Sequence, residues 1–452
     1  MSALYILFIV LVAVSMLLLM VLKFKLSAFI SLLITSMIVG ILAGMPLSQI
    51  STSIQQGMGG TLGFVATVVG LGAIFGQMLE SSGGAKSLAH YLLKKFGKSK
   101  ASWALMLTGF IVGIPVFLDV GLIILIPIVY ALTRDTKHSI LYYAIPLLAG
   151  LAVTHAMVPP TPGPMAVAEI LKVDMGWVIL FGLIIGFPTV IIAGPVFGRF
   201  IAKKIYIAAP PELVETDPEL INSSQTLPSF GIIAVIISTP LFLILMSTFA
   251  GVAIKSGVLK ETLFTEIVSF IGHPFTALII ATLMSIILCI KQKMSRQTIL
   301  DLSTKALGPA GIIILVTGAG GVLKQILVDS GIGTILAESI AQSSFPLIIL
   351  AWSLAAVVRI TQGSATVAMI TAAGIMAPIL PVFNLNQPNT ALIVIAIASG
   401  ATILSHVNDS GFWIVSKYLG MNEKQTLQSW TIMETIIAVC GLVFALLASL
   451  FV

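Results

Sequence analysis

Asp119, His155, Arg359, His406 and Asp409 stand inside or beside long runs of leucine, isoleucine, valine, alanine and glycine, where little can solvate a charge. At the centre of a bilayer an ionised side chain costs roughly 2.5 to 3.5 kcal/mol on an insertion scale, and such groups usually serve function. Proton carriage falls to Asp119 or Asp409. The two histidines are either satisfied core residues or, because imidazole titrates near physiological pH, groups that couple protons or orient a substrate. Arg359 either grips a carboxylate through a bidentate pair, caps a helix, or snorkels to the interface. Glu169, just past a run of prolines, and Glu434, at the start of the last apolar run, are read as structural.

This set is not that of an enzyme. The spans contain no HExxH, GxSxG or DxD constellation, and a His155–Asp119 pair alone is not a nucleophile with its base. Cys289 and Cys440 lie in apolar runs without metal or redox spacing. No cofactor or metal is expected; the acids and histidines are groups that can load a proton, and sodium is left open beside it. A channel would need a continuous polar lining, and the polar residues here are clustered instead.

The elements that must position these side chains are membrane helices. Of 452 residues, 58% are hydrophobic and only 9% charged, against about a quarter charged in soluble domains. Runs 4–21, 29–43, 177–196, 232–250 and 276–290 approach the roughly 20 residues that cross a hydrocarbon core. Helices are required, since an isolated strand leaves its backbone groups unpaired in lipid. The first run lacks a basic leader and is read as a retained span. The net charge of +6 sits in short loops, the mark of topology rather than of nucleic-acid binding.

Four breaks interrupt the apolar sequence: GIPVFLDVG at 113–121, VPPTPGP at 158–164, RITQGSAT at 359–366 and SHVNDSG at 405–411. Proline lacks an N–H and clashes with the preceding turn, so 159–164 holds an extended segment. Irregular backbone at membrane depth persists only where it is buried or lines a wet cavity, and the new helix N-termini favour anions. Short runs around the first and third breaks predict re-entrant hairpins near 101–133 and 347–381. Asp119 lies near the tip of one; Gln362, Gly363, Ser364 and Thr366 lie near the tip of the other. The other two breaks predict broken helices near 139–172 and 390–418.

The breaks recur because the chain repeats itself. VVGLGAIFGQMLESSGGAKSLA from Val68 matches VTGAGGVLKQILVDSGIGTILA from Val316, with Gly70, Gly72, Gln77, Ser82 and Gly83 each finding its like 248 positions on. FISLLITSM from Phe29 and FTALIIATL from Phe275 lie 246 apart; AGLAVTHAMVPP and SGATILSHVNDS lie 250 to 251 apart, aligning His155 with His406. Basic loops at Lys23/Lys25, Lys94 to Lys100, Arg134/Lys137 and Lys203/Lys204 alternate oppositely to those at Lys291/Lys293/Arg296 and Lys417/Lys424. By the positive-inside rule the halves are inverted, with Lys255 and Lys260 the misfit. Residues 1–204 and 229–452 are thus two inverted-topology repeats joined by a polar cytoplasmic linker, 205–228, where the glycosylation pattern at Asn222 carries no weight. The segment around Lys94 is read as an interfacial amphipathic helix. The fold class is an all-α polytopic membrane protein with hairpins and broken helices, the build of secondary transporters.

At these residues the chain resembles a known family. GGTLGFVATVVGLGAIFGQML, FLDVG, HAMVPPTPGP, GSATVAMITAAGI and SHVNDSGFW look like the motifs of the gluconate permeases, proton-coupled sugar-acid symporters of bacterial inner membranes in the wider ion transporter superfamily. The resemblance runs over essentially the whole chain. It implies proton symport of gluconate or a related aldonate, and a homodimer in which a transport domain moves as an elevator. Carried over by position, it puts Asp119, Gly121, Gly363, Ser364 and Thr366 near substrate, with Thr161, Gly163, Asn408, Asp409 and Ser410. Members often have glutamate at the position of Asp119 and histidine at that of Thr161, and both departures touch substrate preference. A branch that transports D-serine shares the fold, which leaves D-serine or another small hydroxy or amino acid as the alternative; the intact PGP and HVNDSGFW favour a sugar acid.

Overall fold

The structure, a computed structural model, describes residues 3–208, 227–343 and 345–452. These residues are helical with no strand among them, and seven helices are long and apolar enough to cross a membrane. The linker expected at 205–228 falls mostly outside the described residues, as does Asn222.

Two long helices, Leu47–Ser81 and Arg296–Asp329, form the spine. At 35 and 34 residues they reach about 50 Å, more than enough to cross a hydrocarbon core of about 30 Å. Both stop in the same way. Ser82 and Ser330 close the last turn, and Gly83 and Gly331 follow with φ of 78° and 73°, a left-handed conformation that glycine adopts without a Cβ clash. The helices touch where side chains vanish: a Cβ on Gly57 would stand 2.6 Å from the carbonyl oxygen of Gly321. Close backbone approach through small residues is how helices associate where lipid is as apolar as leucine.

Ala3–Leu22 and Ala28–Leu42 pack on one side of this spine, Phe230–Lys255 and Pro274–Lys291 on the other. Gly84–Phe96 buries Leu88, Ala89 and Leu92 and exposes Lys94 and Lys95, and Tyr91 stacks on Phe230 with ring centroids 4.0 Å apart. The loop bearing Lys260 contains a short capped helix, Leu263–Ile271, with no counterpart in the first half.

Against the spine lies a body of four interrupted elements. Ala101–Val112 returns through Leu118–Thr136, and Leu347–Gln362 through Ala365–Met376. Leu141–Met157 resumes as Pro162–Leu171, and Gln387–Gly400 as Ser410–Leu419. Spans Met175–Lys204 and Glu423–Ala448 complete this body, each with a π-helical turn, at Ile192–Val196 and Leu427–Thr431. One glycine in each half lets a hairpin arm seat on a broken helix. A Cβ on Gly150 would lie 2.5 Å from the Met106 carbonyl oxygen, and one on Gly400 2.4 Å from that of Trp352. Polar ties hold body to spine: Lys324 Nζ donates to the Ile170 carbonyl at 2.7 Å, at the end of a half-helix where a cation is favoured, and Thr248 Oγ1 donates to Asp174 at 2.6 Å.

Candidate functional site

All four interruptions converge on one cavity of about 450 Å³, a volume in the range of small-molecule sites. Its wall takes Phe117 to Asp119 from the first hairpin, Pro162 and Gly163 from the first broken helix, Arg359 to Thr366 from the second hairpin, and Asn408 to Gly411 from the second broken helix. Each break therefore presents the N-terminus of its second helix to the same space. The first-turn N–H groups of a helix have no intrahelical acceptor and carry partial positive charge, so four converging N-termini make a cradle for an anion.

The four ends are not equally open. Ser364 caps its helix through a bond from Val367 N, and Asp409 accepts from Gly411 N at 3.0 Å. Leu118–Thr136 has no side-chain cap, which leaves the N–H groups of Leu118, Asp119 and Val120 for a ligand. Pro162–Leu171 begins Pro-Gly-Pro, so Gly163 carries the one N–H of its first three residues. Thr161 precedes it but does not cap it; its hydroxyl donates back to the Val158 carbonyl at 2.8 Å.

Charge in the wall is organised around Arg359, only 4% exposed. One terminal nitrogen donates to Asp409 Oδ2 at 2.5 Å and the other to the Gly363 carbonyl. The two-nitrogen grip on a substrate carboxylate is therefore taken up in this conformation, and Nε is left without a partner. Asp409 also accepts from the Ser405 hydroxyl, which in turn accepts from Trp430 Nε1 at 2.7 Å. Asn408 donates to the Ile360 and Thr361 carbonyls at 3.0 and 3.3 Å, fastening the second broken helix to the tip of the second hairpin.

Four buried polar atoms in this wall have no partner among the described residues: Arg359 Nε, Gln362 Nε2, His155 Nδ1 and Glu434 Oε1. Buried polar groups are nearly always satisfied, so four such atoms on the residues of one wall mark unspent hydrogen-bonding capacity beside the cavity, each atom itself being shielded from it.

Most of the residues singled out from sequence meet here: Asp119, His155, Gly163, Arg359, Gln362, Gly363, Ser364, Thr366, Asn408, Asp409 and Ser410. Three stand back from the wall. Gly121 is two residues past Asp119, about 200° round the helix, and packs on Leu151, whose Cδ2 would be 2.7 Å from a Cβ there. Thr161 is buried behind Gly163. His406 spends Nε2 on the Ile360 carbonyl at 2.9 Å. Glu434 and Trp430, read as structural or not at all, do line the cavity. The available signal was an acid inside an apolar span. Glu169, by contrast, pairs with Lys172 away from the wall.

A helical membrane body with paired interruptions meeting at one cavity lined by charged and polar side chains defines a transporter of the broken-helix class. Consistent with that, the chain shares its fold with the YdaH transporter of Alcanivorax borkumensis, solved by crystallography and described as having an unusual topology, at a TM-score of 0.59 and 12% identity over 88% of each chain. The particular family is that of the GntP permeases: the model of the GntP family permease matches residues 5–451, and this chain belongs to it. Its similarity to the gluconate permease of Pseudomonas aeruginosa is 42% identity, covering 99% of this chain and 98% of that protein. To the low-affinity gluconate transporter of Escherichia coli K12 it is 41%, covering 96% of each.

Proposed function

We propose that this permease imports gluconate or a closely related sugar acid by proton symport across the bacterial inner membrane. The observation that carries the reading is the meeting of four helix N-termini and one buried arginine at a single cavity. The Gly163 N–H, the open end of Leu118–Thr136 and Arg359 suit a carboxylate. Gln362, Ser364, Thr366, Asn408 and Ser410 suit a row of hydroxyls. Gluconate permeases at about 42% identity over nearly the full chain support the same substrate.

Charge balance supports the proton. The wall holds three carboxyl groups, Asp119, Asp409 and Glu434, against one guanidinium, so an anion entering the fully ionised cavity meets net repulsion that protonation removes. An inside-negative potential opposes anion entry as well, so at least one proton must accompany each substrate. Of the two aspartates, Asp409 is engaged by Arg359, Ser405 and Gly411, whereas Asp119 forms no ion pair among the described residues and is the freer to change charge. His155 and His406 flank these acids. We further read the two halves as inverted repeats, the body of interrupted elements as the part that moves against the spine, and the assembly as a homodimer.

The test is uptake of labelled gluconate into proteoliposomes under an imposed inward pH gradient with sodium omitted. Accumulation that a protonophore collapses is the expected result. Uptake that needs sodium, or that D-serine but not other aldonates competes away, overturns the coupling ion or the substrate respectively.

A further inference from the structure

Glu434 is an acid that nothing in the wall neutralises. It lies about three turns into the last span, Glu423–Ala448, is 4% exposed and lines the cavity, yet Oε1 has no hydrogen-bond partner and the residue forms no ion pair among the described residues. The charged groups nearest to it are Arg359 and Asp409, and Arg359 is already committed to Asp409 and Gly363.

Among the described residues no second cation reaches the cavity wall: Lys417 on the second broken helix and Lys424 on the span itself are exposed and off it. Of the elements packed against Glu423–Ala448, Leu347–Gln362 contributes Arg359, the broken helix beginning at Gln387 contributes Asp409, and Leu141–Met157 contributes His155 with Nδ1 unpartnered. Met175–Ile191 contributes no ionisable side chain. Asp119 faces the same cavity from the first hairpin. A buried carboxylate without a partner is unfavourable, and it either takes a proton or captures a cation.

We infer that Glu434 is a proton-binding group of the transport cycle, and that its proton decides whether Arg359 is available to the substrate. Protonated, Glu434 is neutral and leaves the guanidinium charge, whose unpartnered Nε is itself buried, to attract an incoming carboxylate. Deprotonated, the carboxylate competes for that guanidinium and repels the anion. The proton binds a carboxylate oxygen and leaves it again, so no covalent bond other than O–H is made or broken. The inference rests on the proton-coupled sugar-acid reading above and adds to it the residue through which pH acts on binding.

The experiment uses the full-length carrier in proteoliposomes with labelled gluconate, comparing wild type with Glu434→Gln, which fixes the neutral form. The variant is expected still to exchange gluconate across the membrane at equal pH, with an affinity that varies less steeply with pH than that of wild type. Its coupling falls by one proton per substrate, so a one-unit pH gradient sustains an accumulation about tenfold below wild type. A variant with wild-type pH dependence and wild-type accumulation overturns the inference, and so does a folded variant that cannot exchange gluconate at all. Should Glu434→Gln not fold, Glu434→Asp keeps a titrating group in a shorter side chain. Coupling retained with a displaced pH profile supports the role, and an unmoved profile refutes it. Failure of wild type itself to accumulate gluconate on a pH gradient would instead strike the reading on which the inference stands.

Discussion

The interruptions in the first half of the chain and those in the second meet at the same cavity with different chemistry. In the first half the helix ends are bare: Leu118–Thr136 and Pro162–Leu171 have no side-chain caps, and Asp119 and His155 face the cavity without ion pairs. In the second half the ends are occupied. Ser364 and Asp409 cap their helices, and Asp409, Arg359, Ser405 and Trp430 form one bonded cluster. A common backbone plan has been divided between a side with open valences, suited to a ligand that comes and goes, and a side already wired together, suited to holding shape and charge. Cooperative polar clusters are costly to disrupt, whereas uncapped ends lose little when altered.

That contrast is broken most severely at Arg359. Arg359→Ala leaves Asp409, 12% exposed, without its cation; breaking a fully buried pair in this way typically costs 3–5 kcal/mol, and a loss of up to about 3 kcal/mol is expected here. Uptake should vanish and the detergent-solubilised protein should unfold at clearly lower temperature; near-native melting would show that the second-half cluster is not structural. Asp119→Asn tests the other side. Proton-driven gluconate uptake should fall to background while the melting temperature stays at wild type, since no bond of Asp119 is lost; retained coupling removes Asp119 from the proton path. Ser364→Ala deletes a helix cap worth about 1 kcal/mol, so a modest fall in melting temperature is expected in the second half alone. Thr161→Ala, its positional counterpart in the sense of flanking a first-half helix start, removes one local hydroxyl bond and should move stability by about 0.5–1.5 kcal/mol at most, with gluconate affinity unchanged because the hydroxyl points away from the cavity. A large affinity loss there would place Thr161 in contact with substrate after all.

Much of this was readable before any coordinates. Prolines at 159, 160, 162 and 164 disfavour continuous helix, and charges beside such breaks mark where the freed backbone is used. Asp119, Arg359 and Asp409 were legible for that reason. Gly121 was misleading because motif membership ignores helical phase: two residues along a helix is the opposite face. Arg359 was ambiguous because sequence gives no partner, and its engagement with Asp409 spans 50 positions. Glu434 was passed over for a related reason. Its place in the cavity wall comes from the last span packing against Leu347–Gln362 and Gln387–Gly400, which no local pattern reports. The loop around Lys260 was not read as structured, yet it contains the small helix Leu263–Ile271, whose capping box at Thr262 and Thr265 lets it fold locally.

The hairpin arms Ala101–Val112 and Ala365–Met376 have 12 residues each, about 18 Å of helix against a hydrocarbon thickness of about 30 Å. An electrical potential drops across insulating material and hardly at all across water. Where a short arm ends at the polar cavity, the insulator is thinner than the bilayer, and the local field is correspondingly steeper. Crossing the full drop is worth about 2.3 kcal/mol per charge for each 100 mV, and here a charge collects most of that work over a path shorter than the membrane. The resting voltage of the cell can then act on the carrier through ångström-scale movements of a proton or a carboxylate.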